Sequence, residues 1–375
     1  MNFIDLKAQY ERLKQEIDQG VLDVIGRQAF IQGQEVRDLE AALVEFSGAK
    51  RVVTCANGTD ALQLGMMTMG IGPGDAVFVP SFTYTATAEV ILLLGATPVF
   101  VECDPVTFNL DFEHAESEIL RVKTEGKLRP AVLLTVDLFG QPIDYDRARG
   151  IADAHGLKFI SDAAQGFGGS YKGRRVGSGL ADVTTTSFFP AKPLGCYGDG
   201  GAVFTDDDAL ADIMRSICLH GKGVGKYDVV RIGVNSRLDT IQAAVLLPKL
   251  AIFADELEKR HEIANAYSAR LADHVATPIL AEGEDRFAWA QYTLKLGNRG
   301  AVQASLKEAG IPSAVYYPLP MHLQPAYLEF GKGEGSLPVA ERLSQEVLSL
   351  PMHPYLTSDE IDQVCDAVIA AVKSQ

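Results

Sequence analysis

The chain has 375 residues, 47% hydrophobic and 22% charged, and a formal net charge of −15. That length suggests two domains, and that composition excludes a disordered chain. The acidic balance argues against nucleic-acid binding, although a local pocket can oppose the global charge and hold a phosphorylated small molecule.

The opening residues, MNFIDLKAQYERLKQ, lack a charged segment leading into an apolar run, so no signal peptide is expected. No stretch of about 18 apolar residues follows, so neither is a membrane span. A soluble, cytoplasmic protein is expected. Cys55, Cys103, Cys196, Cys218 and Cys365 are widely and irregularly spaced, which predicts reduced, mostly buried thiols and no metal site.

Strands are predicted over 51–56, 75–80, 96–102, 130–136, 157–162, 183–189 and 200–206. Helices are predicted from Asn57-Gly58 to about Met69, around 85–94, and over 145–156. Alternation at this pace predicts an α/β fold, a mainly parallel sheet covered by helices on both faces. Ser236-Arg237-Leu238-Asp239 reads as a capping box that opens a helix. Pro248 is expected to kink or break that helix before a charged stretch runs on to about His274. A strand over 290–296 and helices near 300–309 and 357–373 predict a smaller C-terminal α+β domain. The expected division is 1–247 for the large domain and 248–375 for the linking helix and small domain.

The common nucleotide and metal motifs are absent. A dehydrogenase loses its main support, because the first strand-to-helix turn reads C-A-N-G-T-D and not G-x-G-x-x-G. That turn is still informative. Gly58 and Thr59 lie where free amides and a helix dipole make an anion site, although an ordinary N-cap with Thr59 as the capping residue reads the same way. Asp162 follows an apolar run, at the strand end where open α/β sheets bind ligands; a turn-capping Asp is the plainer alternative. Lys192 lies among Phe188, Phe189, Pro190, Pro193 and Leu194, and desolvation there frees an amine as a nucleophile, unless it is a lysine at a loop edge. An anion cradle, a carboxylate at a strand end and a desolvated lysine together match the needs of pyridoxal phosphate: helix amides for the phosphate, the amine for a covalent link, the carboxylate for the ring nitrogen. Tyr84 offers a flat stacking partner, or plain core packing.

The motifs NGTDAL, PSFTYTATAE, ATPVFVECDP, LFGQP, SDAAQGFG, SFFPAKPLGCYGDGGA, GVNSRLDTIQAA and YYPLPMHLQPAY resemble the DegT/DnrJ/StrS family of pyridoxal-phosphate-dependent sugar-nucleotide aminotransferases over essentially the whole chain. The resemblance implies a type I fold, with a seven-stranded cofactor-binding large domain. It implies Lys192 as the cofactor-linked lysine, Asp162 on the pyridine nitrogen and Gln165 beside the phenolic oxygen. Gly58, Thr59 and Ser187 match the phosphate binders, and Tyr84 matches the stacking aromatic. Asn235 matches an asparagine that reaches the phosphate from the second subunit of a homodimer. Arg237, Tyr317 and His322 are expected at the substrate, with Arg237 the candidate for a substrate carboxylate. The wording is similar to the subgroup that aminates C3 of a UDP-linked 3-keto N-acetylglucosaminuronate with glutamate as donor, for O-antigen synthesis. A 3- or 4-keto-6-deoxy sugar nucleotide is the alternative substrate, and a cofactor-binding regulator without turnover is the alternative role. Two departures stand out: Ser161, where many members have Glu, and Lys192-Pro193-Leu194, where K-N-L is commoner.

Overall fold

The apolar runs read from the sequence are strands in the computed structural model, which describes residues 1–225, 227–280 and 284–374. Three helices come first: α1 (Leu6–Arg12), α2 (Lys14–Arg27) and α3 (Gln34–Ser47). The strands β1 (Arg51–Cys55), β2 (Asp75–Pro80), β3 (Thr97–Val101), β4 (Arg129–Val136) and β5 (Lys158–Asp162) follow. Two short strands, β6 (Ser170–Tyr171) and β7 (Arg174–Arg175), precede β8 (Val183–Ser187) and β9 (Gly201–Thr205). Seven of these form one sheet in the order β1-β9-β8-β5-β4-β2-β3. Six of the seven strands point the same way, and β9 runs against them, antiparallel to β1 and β8.

Helices α4 (Gly58–Thr68), α5 (Thr85–Leu93), α6 (Phe112–Glu125), α7 (Tyr145–His155) and α8 (Asp208–Cys218) cover the two faces of this sheet. Alternate residues of one strand therefore enter different cores. Val77 and Val79 of β2 cluster with residues of α4, α5 and α8, whereas Ala76 and Phe78 cluster with residues of α6 and α7. A strand buried on both faces reads as a continuous apolar run, which makes DAVFVP and PAVLLTV legible as strands.

The long helix α9 (Thr240–Leu271, 32 residues) departs from expectation twice. It begins after Asp239, not after Ser236; the Ser236 hydroxyl instead accepts the Ala56 N–H at 3.1 Å. Pro248 lies inside the helix without ending it. An interior proline costs about 3 kcal/mol. Burial of Ala243, Leu246, Leu250, Phe253 and Leu257 in one cluster with β1, β9 and α3 offsets that loss. From Ile263 onward the helix joins a second core, with β11 (Tyr292–Lys295), α10 (Arg299–Glu308), β12 (Val347–Leu350) and α12 (Ser358–Lys373). The short β10 (Glu284–Arg286) pairs with β6, and α11 (Pro338–Glu346) returns Ala340 and Leu343 to the large-sheet core. All five cysteines are buried and unpaired. Among the described residues, no helix is long and apolar enough to cross a membrane.

Candidate active site

Asp162 is the last residue of β5 and is buried. Its two oxygens accept from the Thr87 hydroxyl at 2.9 Å and from the Ala164 N–H at 3.1 Å. Burial pushes the Asp162 pKa up, while those two bonds and the Lys192 charge pull it back down. Burial in turn pushes the Lys192 ammonium down, and the Asp162 carboxylate partly restores it. The two groups are thus within electrostatic reach, and each is held away from its ordinary titration by the same desolvated setting. Phe188 and Leu194, on either side of Lys192 in the chain, are buried; Phe189, expected with them, is mostly exposed. Ser161 faces the other way along the strand, bonded to the Tyr145 hydroxyl at 2.9 Å.

The turn after β1 is built for close approach. Asn57, not Thr59, caps α4, accepting the Asp60 N–H at 2.8 Å. Among the described residues, the Gly58 and Thr59 amides then donate to no protein acceptor. A Cβ on Gly58 would lie 2.6 Å from the Ser187 Cβ, so glycine is required where β8 ends against the helix start. The Ser187 hydroxyl accepts the Phe189 N–H at 3.1 Å.

Gln165 joins two segments, accepting the Phe139 N–H at 2.7 Å and donating to the Tyr317 hydroxyl at 3.1 Å. Phe139 is held there at φ 60°, a left-handed conformation that costs energy in a non-glycine residue. Tyr84 is 56% exposed, and its ring centre lies 6.1 Å from that of Tyr317. Both rings line a cleft of about 460 Å³ with Met321, Pro325 and Tyr327. Asn235 is exposed and Arg237 half-buried. Among the described residues Arg237 has no ion-pair partner. His322, expected at the substrate, is instead fully buried. Its Nδ1 lies 2.6 Å from the Ser81 hydroxyl and its Nε2 3.0 Å from Glu341, which leaves no ring nitrogen for a ligand in this conformation. Thr87 escaped the sequence reading. The available signal was a buried hydroxyl in the otherwise apolar helix TATAEVILL.

The sequence pattern of the DegT/DnrJ/EryC1/StrS aminotransferase family matches residues 11–369. The chain belongs to this family. It is 48% identical over 98% of its length, and 99% of the relative's, to the UDP-2-acetamido-2-deoxy-3-oxo-D-glucuronate aminotransferase of Pseudomonas aeruginosa. The crystal structure of a DegT DnrJ EryC1 StrS aminotransferase from Brucella abortus superposes with a TM-score of 0.97 at 50% identity, covering 99% of both chains. NtdA from Bacillus subtilis, with bound cofactor PMP, matches at a TM-score of 0.87 and 29% identity, covering 99% of this chain and 83% of that one.

The family member is therefore a transaminase, and its cofactor is pyridoxal phosphate. The site fits that group on its own chemistry: unspent helix amides at a glycine pressed against Ser187, a buried carboxylate, and a desolvated amine within its electrostatic reach. Bound pyridoxal phosphate supplies a ring that withdraws electrons from the substrate carbon next to the transferred nitrogen.

Proposed function

We propose that the chain moves the amino group of L-glutamate to C3 of UDP-2-acetamido-2-deoxy-3-oxo-glucuronate, in the cytoplasm, for surface-polysaccharide synthesis. The 48% identity across nearly the whole chain carries the substrate reading. Lys192 holds the cofactor covalently and, once released, accepts and returns a proton at Nζ; its lowered basicity favours the neutral amine this requires. Asp162, oriented by Thr87 and Ala164, presents negative charge to the ring nitrogen. Gly58, Thr59 and Ser187 bind the phosphate, Gln165 sits at the phenolic oxygen, and Tyr84 covers the flat face. Arg237 receives the carboxylate of each substrate in turn, its planar fork matching that group. Its lack of a protein ion-pair partner among the described residues supports this role.

The active unit in this reading is a homodimer whose Asn235 residues reach across. The segment leading into Asn235 carries exposed Val224, Val229, Val230 and Ile232, with Ile232 84% exposed. An apolar strip of this kind marks a protein contact. The test is a panel of UDP- and dTDP-linked keto sugars with glutamate as donor, run on the wild type and on Arg237→Lys. The 3-keto uronate should far outperform 4-keto-6-deoxy sugars, and Arg237→Lys should impair both half-reactions. A preference for a 4-keto-6-deoxy sugar rejects the uronate assignment.

A further inference from the structure

Outside the cofactor site, α9 buries a second lysine. Lys249 has no exposed surface. Its Nζ donates to the Gly195 carbonyl at 2.6 Å and lies 4.0 Å from the centre of the Tyr197 ring. Gly195 and Tyr197 close the loop that carries Lys192. That loop folds back on itself: Lys192 N–H donates to Phe189 and Cys196 N–H to Phe188, both at 2.8 Å. A Cβ on Gly195 would lie 2.5 Å from the Pro190 carbonyl oxygen, so the turn has no slack at this point. Two helical turns before Lys249, Gln242 makes a second tie. Its side chain accepts the Tyr197 N–H at 2.8 Å and donates to the Tyr197 carbonyl at 3.2 Å.

We propose that Lys249 is a positioning residue for the transamination, fixing from inside α9 the loop on which Lys192 acts. This rests on the reading of Lys192 as the cofactor lysine. A buried ammonium is costly unless its hydrogen bonds and charge are met. Here a carbonyl oxygen and a ring face meet it from the Lys192 loop, and the opposite charge acting on it from its own helix is the Glu256 carboxylate, itself bonded to Gln9 at 2.8 Å and to the Tyr355 hydroxyl. An apolar side chain of equal length fills the same space and releases the loop. Displacing a reacting group by about 1 Å costs up to roughly a hundredfold in rate.

The test compares Lys249→Met with Tyr267→Phe, which removes a buried hydrogen bond to Pro351 in the C-terminal core, far from the loop. Purified chains are mixed with pyridoxal phosphate and reduced with borohydride at timed intervals, and the peptide bearing Lys192 is weighed. Steady-state kcat and KM are measured alongside thermal stability. Lys249→Met should trap the cofactor at Lys192 about tenfold more slowly and lose a similar factor in kcat, with KM within about twofold. Tyr267→Phe should lose stability alone. A Lys249→Met chain that traps and turns over like Tyr267→Phe overturns the proposal. If Lys249→Met does not fold, Gln242→Leu must show the same selective loss, and normal trapping in it overturns the proposal equally. A wild-type chain never trapped at Lys192 overturns the cofactor-lysine reading itself, and this proposal with it.

Discussion

Asp162 gathers most of what the site requires of one residue. Its position at the end of an apolar run made it legible in the sequence, as the glycine-rich, apolar surroundings did for Lys192 and the strand-to-helix turn did for Gly58. What the sequence does not display is the support. Thr87 meets Asp162 from a different helix, and Ser236 meets Ala56 across 180 positions. His322 carries chemistry that suits a substrate contact, yet Ser81 and Glu341 enclose it, and both lie far from it in sequence or across a turn. Long-range packing decided these cases, and residue type could not. Asp162→Asn keeps the shape and both neighbours while removing the charge. The variant should retain cofactor, measured by its visible absorbance, and lose about a hundredfold or more in kcat. Near-normal turnover would reduce Asp162 to a turn residue.

Elements were legible wherever burial imposed a strong pattern, and their ends were not. The two-sided burial of β2 and β4 writes continuous apolar runs, but the strand order cannot be read from them, because β1 pairs with β9 across about 150 residues of chain. The start of α9 was misplaced because Ser236 has a tertiary partner that outcompetes capping. Pro248 fails to break α9 because the helix is held by packing on either side of it. At the start of α4, the Cβ of Gly58→Ala meets Ser187, so the helix start must shift away from the end of β8. Equilibrium dialysis should show cofactor affinity weakened about tenfold or more, roughly 1.4 kcal/mol; unchanged affinity would remove the cradle from the account. Inside α9, burial pushes Lys249 down to about 8 from an ordinary 10.5. Between those values the unfolded chain holds a proton that the folded chain has released, so folding stability rises with pH there. Denaturant unfolding should show wild type gaining about 3 kcal/mol on Lys249→Met from pH 8 to 10.5. A difference that stays flat, or falls, contradicts the burial of that charge.

At the scale of the whole molecule, the fold brings together residues as distant as Gln165 and Tyr317, and the dimer reading extends that assembly to a second copy. Lys192→Ala and Asn235→Ala chains, each inactive alone, should regain activity when mixed under conditions where subunits exchange, because one site per mixed dimer is intact. Exchange without recovery would confine Asn235 to its own chain. The central claim is a transfer of nitrogen from glutamate to a keto sugar at Lys192. It is tested most directly by giving the holoenzyme glutamate labelled with heavy nitrogen and UDP-2-acetamido-2-deoxy-3-oxo-glucuronate, then weighing the sugar nucleotide produced. The account predicts heavy nitrogen in an amine at C3 with wild type and none with Lys192→Ala; unlabelled product, no amino sugar, or equal labelling by Lys192→Ala would contradict it.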